Sequence, residues 1–316
     1  MTLSQSVFKS RMPFTYFAGE VIPSEQAVVS PASHSLQYGT TVFSGMRGYF
    51  RDGKVRVFRL TDHFERLMQS AKILGMDFQM SLSEFLDIMA ELIKKNNPQG
   101  DVYFRPFIFS PDEVLTPRFD RLNYQLCIYM ISLDNYLLDP SVGLNLKIST
   151  WRKFPDSSIP NKAKAGGAYL HSSLAHTEAT NEGYDEALVM DDNWNIVEGA
   201  GENLMMVTRG VIRTPAIGTA VLEGITMRSV VTLLEDAGKT IRHEPLDRSM
   251  IFACDELLLT GTAATVLYAS SIDKRKIGVE GQEGPGEICQ FLRKEFESLF
   301  DMSHPRSQEW MKEFSV

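Results

Sequence analysis

The sequence predicts an α+β protein of two domains, and three observations carry that expectation. Capped amphipathic helical patterns occupy residues 61–74 and 81–96. Runs rich in aromatic and β-branched residues follow at 102–109 and 124–132. A polar stretch ending in Asp-Pro, Leu133 to Pro140, then interrupts the strand-like runs, and beyond it short strands and helices mix again. The reading is a small N-terminal domain over 1–134, a linker over 135–141 and a larger C-terminal domain over 142–316, joined near residue 137.

Gly48 to Phe58 reads as a hairpin turning at Arg51-Asp52-Gly53-Lys54, because Asp-Gly tolerates the positive φ a tight turn needs. Thr61 or Asp62 can cap a helix whose apolar stripe is Phe64, Leu67, Met68, Ala71 and Leu74, with Gly75 as its stop. Ser81 with Glu84 forms a capping-box pattern for a second helix to about Asn96, stopped by Pro98 and Gly100. Alternation at Leu144, Leu146 and Ile148 opens the second half. A helix is expected over 168–182, strands at 186–190, 196–197 and 204–207, a helix over 226–237 and a buried strand at 257–259. Residues 301–316 read as an extension.

Composition narrows the function. The chain has 316 residues, 43% of them hydrophobic, and a net charge of -8. Without a cluster of Lys and Arg, that charge argues against a nucleic-acid partner. No run approaches the roughly 18 apolar residues of a membrane span, and Met1 to Phe14 lacks the apolar core of a signal peptide. Cys127, Cys254 and Cys289 are odd in number, far apart and in apolar surroundings, so they read as reduced, buried thiols in a cytoplasmic protein. His171 and His176 are five apart, which is wrong for a helical zinc pair, and no metal is expected.

Several clusters carry chemistry. Lys164, followed by Ala165-Gly166-Gly167, sits where a ligand can approach the backbone, and a lysine amine costly to charge can attack a carbonyl. Glu198-Gly199-Ala200-Gly201-Glu202-Asn203 is either a solvated glycine turn or a carboxylate aimed at a charged ring nitrogen. It lacks the third glycine of a dinucleotide fingerprint. Gly224-Ile225-Thr226 opens a helix whose amides suit phosphate, although Thr226 could equally be a plain N-cap. Gly261-Thr262-Ala263-Ala264 repeats that pattern after a strand. Arg66 lies beside an apolar helix stripe, as a surface residue or a phosphate fork. Tyr103 and Arg105 share one face of a strand, where they could hold a carboxylate or where the arginine could be solvated at an edge.

In this order, these clusters resemble the class IV (fold type IV) pyridoxal-phosphate transaminases, and among them the branched-chain amino acid aminotransferases. The resemblance runs from about His34 to Thr265 and also includes Tyr38-Gly39-Thr40-Thr41-Val42-Phe43 and His63 to Arg66. It implies the D-amino acid aminotransferase-like fold, with two mixed α/β domains and pyridoxal 5'-phosphate between them. It implies that Lys164 carries the cofactor and shuttles the substrate proton, that Glu198 pairs with the pyridine nitrogen, and that Tyr169 lies near the phenolic oxygen. Arg66, Ile225, Thr226 and Thr262 would hold the phosphate. Tyr103 and the amides of Thr262 and Ala263 would take the α-carboxylate, Arg105 and Tyr38 the side-chain carboxylate of glutamate, and Phe43 the branched aliphatic chain. Tyr38 would reach the neighbouring subunit's site, which implies at least a homodimer.

The expected reaction is transamination of L-leucine, L-isoleucine and L-valine with 2-oxoglutarate. Two departures bear on side-chain preference: Ser44 stands where these enzymes usually carry Glu, and Ala168 replaces the usual Asn. A D-amino acid transaminase or an aminodeoxychorismate lyase is the alternative on the same fold, and a non-catalytic cofactor-binding protein is a third reading.

Overall fold

A computed structural model describes residues 11–133, 142–216, 218, 220–279, 281 and 284–316. The expected linker at 135–141 lies outside the described residues. The elements in chain order begin with β1 (Phe14–Phe17), β2 (Glu20–Pro23), α1 (His34–Tyr38), β3 (Val42–Phe43), β4 (Met46–Arg51) and β5 (Lys54–Phe58). Next come α2 (Leu60–Ile73), α3 (Leu82–Asn96), β6 (Val102–Phe109), β7 (Gln125–Ser132) and β8 (Leu144–Arg152). They continue with α4 (Tyr169–Asn181), β9 (Glu186–Met190), β10 (Ile196–Gly199), β11 (Asn203–Thr208), β12 (Val211–Thr214), α5 (Ile225–Asp236) and β13 (Ile241–His243). The last are α6 (Arg248–Phe252), β14 (Glu256–Gly261), β15 (Thr265–Ile272), β16 (Arg275–Lys276), α7 (Glu287–Phe300), α8 (Ser307–Trp310) and β17 (Met311–Ser315).

The chain forms two compact units, and no single cut separates them. The first holds Met1–Leu137, Ala163–Gly167 and Ser298–Val316; the second holds Leu138–Lys162 and Ala168–Glu297. Segments 163–167 and 298–316, which a division near residue 137 assigns to the C-terminal domain, therefore belong with the first unit.

In the first unit the sheet order is β17-β5-β4-β6-β7-β1-β2, with β3 paired to β6. The β4–β5 turn is Asp52-Gly53, both at positive φ (53° and 71°), as the Asp-Gly pair predicts. The capping box of α3 is present: the Ser81 hydroxyl accepts from the Glu84 amide and the Glu84 carboxylate accepts from the Ser81 amide. The start of α2 differs from expectation. Arg59 in the left-handed region precedes Leu60, and the Asp62 carboxylate pairs with the Arg59 guanidinium (2.7 Å) instead of capping. Phe64, Leu67, Phe85, Met89 and Leu92 of α2 and α3 share a core with Val102, Phe104 and Ile108 of β6. The tail is a strand: β17 lies antiparallel to β5, from Met311 opposite Phe58 to Ser315 opposite Lys54.

In the second unit the order is β10-β9-β8-β15-β14-β11-β12-β13, with β16 on β15. An additional β10–β11 pairing closes six of these strands into a ring. Leu146, Ile148, Leu188, Leu204, Met206, Leu257 and Leu259 pack in one buried cluster. Ala175 and Ala179 of α4 pack on Ala187, Val189 and Val197. The small alanines let the helix lie close to the strands. Among the described residues, no helix is long and apolar enough to cross a membrane.

Candidate active site

Lys164 is held by its backbone. Its carbonyl accepts from the Phe43 amide (3.0 Å), and its amide donates to the Ser70 hydroxyl of α2 (3.1 Å). Ala165 bridges to Val42, and the amides of Gly166 and Gly167 donate to the carbonyls of Thr41 (2.8 Å) and Gly39 (3.0 Å). The segment is thus stitched along the Gly39–Phe43 stretch. A Cβ on Gly166 would lie 2.0 Å from Thr41 Oγ1, and one on Gly167 would lie 3.2 Å from the Gly39 carbonyl oxygen, so the glycines permit this approach. The Lys164 Nζ ends 5.1 Å from the centre of the Phe43 ring.

Phe43 also receives the Arg105 guanidinium, 4.7 Å from its ring centre. On β6, Tyr103 and Arg105 point the same way, and Arg105 Nη2 donates to the Tyr103 hydroxyl (3.1 Å). The alternate residues Val102, Phe104 and Ile108 are buried, so the strand periodicity puts the polar pair on the opposite face. The solvated-edge reading of Arg105 is wrong, because β6 is flanked by β4 and β7. Gly45 makes room here: a Cβ on it would lie 1.8 Å from the Tyr103 hydroxyl.

Arg66 is buried and not a surface residue. It reaches Ser44 Oγ at 3.5 Å, and that oxygen lies 3.0 Å from His63 Nδ1. Ser44, which reads from sequence only as a departure, therefore links two cationic or titratable side chains of α2. Tyr38 ends α1, is 37% exposed, and packs its ring on His34.

In the second unit, Glu198 is buried on β10, opposite Asn203 of β11. Its carboxylate pairs with the Lys153 ammonium, which is also largely shielded. The solvated-turn reading of Glu198 is therefore wrong. Sequence reasoning misses Lys153, because its Trp-Arg-Lys-Phe run gives no sign of a partner so far along the chain. Burial pushes the Glu202 carboxyl up to about 8, with the nearby Glu186 and Glu198 charges adding and the Gly201 amide opposing. Beside them His176 Nδ1 lies 3.1 Å from Glu186, which raises the histidine pKa.

Helix α5 begins at Ile225 with Gly224 as N-cap and no side-chain cap. Thr226 is the second helical residue and buried, not the cap. A Cβ on Gly224 would lie 1.8 Å from Asn203 Oδ1, and Asn203 Nδ2 donates to the Leu222 carbonyl (2.9 Å). Asn203, next to the Glu198 turn, thus braces the approach to α5. Thr262 and Ala263 form the turn between β14 and β15, where Gly261 pairs with Thr265. Tyr169 is the first residue of α4. Among the described residues, no cluster of His, Cys, Asp or Glu could hold a metal ion.

The amino-transferase class IV family model matches residues 41–272, and the chain belongs to that family. It is 38% identical over 277 residues to a probable branched-chain-amino-acid aminotransferase of Aquifex aeolicus, covering 87% of this chain and 88% of the relative. It is 35% identical to the branched-chain-amino-acid aminotransferase of Escherichia coli K12, over 91% of this chain and 93% of that one. The fold matches the branched-chain aminotransferase of Thermoproteus uzoniensis with norvaline at TM-score 0.89 and 33% identity, over 96% of this chain and 99% of that one. It also matches the branched-chain amino acid aminotransferase of Thermobaculum terrenum in its PLP-bound holo form at TM-score 0.88 and 27% identity, over 96% and 99%.

Proposed function

We propose that this chain transfers amino groups between L-leucine, L-isoleucine or L-valine and 2-oxoglutarate, using pyridoxal 5'-phosphate. Membership of the class IV aminotransferases and the likeness to branched-chain enzymes over most of the chain support the reaction. The observation that carries the substrate reading is the Tyr103–Arg105 pair beside Phe43, with the Lys164 amine over the same ring. One face thus offers an apolar wall and a guanidinium. That suits a site which must take an aliphatic side chain in one half-reaction and a carboxylate in the other. The same pair argues against a D-amino acid transaminase or an aminodeoxychorismate lyase.

The residues fit the cofactor. Glu198 is a buried carboxylate with one cationic partner, suited to a protonated ring nitrogen, and α5 presents an uncapped N-terminus suited to phosphate. In this reading Lys164 would hold the cofactor covalently, and Glu198 would pair with its ring nitrogen. Tyr169 would lie near its phenolic oxygen, and Arg66, Ile225, Thr226 and Thr262 would hold its phosphate. When bound, pyridoxal phosphate supplies a protonated ring that accepts the electron pair left when the substrate Cα–H bond breaks. With the cofactor bound, the Lys164 amine would move the substrate's α-proton between the α-carbon and the cofactor's C4′. Tyr103 and the Thr262 and Ala263 amides fix the α-carboxylate. Arg105, with Tyr38, receives the γ-carboxylate of glutamate.

We also read a cytoplasmic homodimer. Leu36, Tyr38 and Leu115 of the first unit leave apolar surface in solvent (63%, 37% and 78% exposed), as a subunit contact requires. The three free, buried cysteines suit a reducing compartment. The test of function is product formation. L-leucine with 2-oxoglutarate should give glutamate and the branched 2-oxo acid, whereas D-alanine with 2-oxoglutarate should give nothing. Turnover of D-alanine alone, or pyruvate release from aminodeoxychorismate, would replace this reading.

A further inference from the structure

We propose that Tyr129 is a specificity-determining residue of the same site, its hydroxyl joining Arg105 on the γ-carboxylate of glutamate and 2-oxoglutarate. The proposal rests on the reading of Arg105 given above. Strands β6 and β7 are antiparallel, and Tyr129 is the residue directly opposite Arg105. Directly opposed residues project to the same face, with Cβ atoms about 5 Å apart. Tyr129 therefore stands on the face that carries Tyr103, Arg105 and Phe43. The neighbouring positions Ile128 and Met130 are fully buried, whereas Tyr129 is only partly so, which leaves its ring edge reachable.

Its aim is set by packing. Phe107, one alternation along β6 from Arg105, meets the Tyr129 ring edge-on at 6.3 Å and 68°. Burial raises the phenol pKa, and the Arg105 charge only partly opposes it. The hydroxyl therefore keeps its proton at neutral pH and acts as a donor. A carboxylate has about four acceptor positions. Arg105 already shares one of its N–H groups with the Tyr103 hydroxyl, so a second donor beside it completes the binding of a charged group. An aliphatic side chain has no use for that hydroxyl. Tyr129 thus separates the two substrate classes: it strengthens the dicarboxylate and leaves the branched chain to Phe43 and its neighbours.

The experiment is spectral titration of the cofactor-loaded enzyme with glutarate and with 4-methylvalerate, for wild type, Tyr129→Phe and Arg105→Gln, with circular dichroism to verify folding. Tyr129→Phe should weaken glutarate about tenfold, the size expected for losing one hydrogen bond to a charged group, and leave 4-methylvalerate within about twofold. The KM for 2-oxoglutarate should rise in parallel while that for leucine holds. If Arg105→Gln weakens glutarate and Tyr129→Phe does not, the role of Tyr129 is overturned and that of Arg105 stands. If neither variant weakens glutarate, the Arg105 reading falls as well. Equal weakening of both ligands by Tyr129→Phe marks a packing role and also overturns the proposal.

Discussion

The Lys153 ammonium and the Glu198 carboxylate form an ion pair shielded from solvent, with side chains only 12% and 10% exposed. A carboxylate in that position needs a counter-charge before any ligand arrives, and Lys153 supplies it. Lys153 is itself held, since its amide donates to the Met190 carbonyl (2.8 Å) and its ammonium lies over the Phe154 ring.

Removing the lysine should strand the carboxylate. Lys153→Met is expected to destabilise the cofactor-free protein by about 3 kcal/mol, the scale for breaking a buried pair. If Glu198 pairs with the ring nitrogen as proposed, the loss should shrink when pyridoxal phosphate is bound, because the ring-nitrogen proton then supplies a counter-charge. Denaturant unfolding with and without cofactor measures both. An equal loss in the two states would show that Glu198 does not face the ring.

Gly45 defines the seat of the Tyr103 hydroxyl. Gly45→Ala places a Cβ 1.8 Å from that oxygen, so Tyr103 must move and its hydrogen bond with Arg105 must break. We expect kcat/KM to fall at least about tenfold for both leucine and glutamate, with an unchanged circular dichroism spectrum.

The Glu202 carboxyl gives a pH signature. Its folded pKa of about 8 lies above the ordinary value of 4.5, so the folded protein binds a proton that the unfolded chain has released. Stability from this group therefore falls as pH rises from about 4.5 to 8 and levels off above. The raised pKa of His176 acts in the same sense: its contribution is complete below the ordinary 6.5 and is lost as pH rises through the folded value. Thermal unfolding at about pH 6 and about pH 8.5 should show a drop in Tm. Glu202→Gln should reduce that drop, because a neutral amide can still accept from the Gly201 amide (3.1 Å in the carboxyl form).

The thiols should be inert. Burial pushes Cys127 and Cys254 up to about 12 and Cys289 up to about 11. A thiol-specific chromogenic reagent at about pH 8 should find almost no reactive group in the folded protein and three after unfolding.

Local signals in the sequence match local structure. The Ser81–Glu84 box and the Asp52-Gly53 turn are legible because each depends on residues three or fewer positions apart. The alternation along Val102–Phe109 places Tyr103 and Arg105 on one face, since a strand's period is fixed by its backbone. The start of α2 is not legible because Arg59 takes Asp62 into an ion pair, a competition that propensity does not register. Strand β17 is hidden because its partner β5 lies over 250 residues earlier, and no local pattern encodes that pairing. Lys153 escapes for the same reason: its partner is 45 residues away.

On the proposed reading Lys164 carries the cofactor and one face serves both substrate types. The decisive measurement adds L-leucine and L-glutamate, separately and without any 2-oxo acid, to cofactor-loaded protein and follows the cofactor absorbance. Each L-amino acid should convert the spectrum of the wild type, D-alanine should not, and Lys164→Ala should show no conversion. Conversion by leucine but not glutamate, or an unimpaired Lys164→Ala variant, would contradict it.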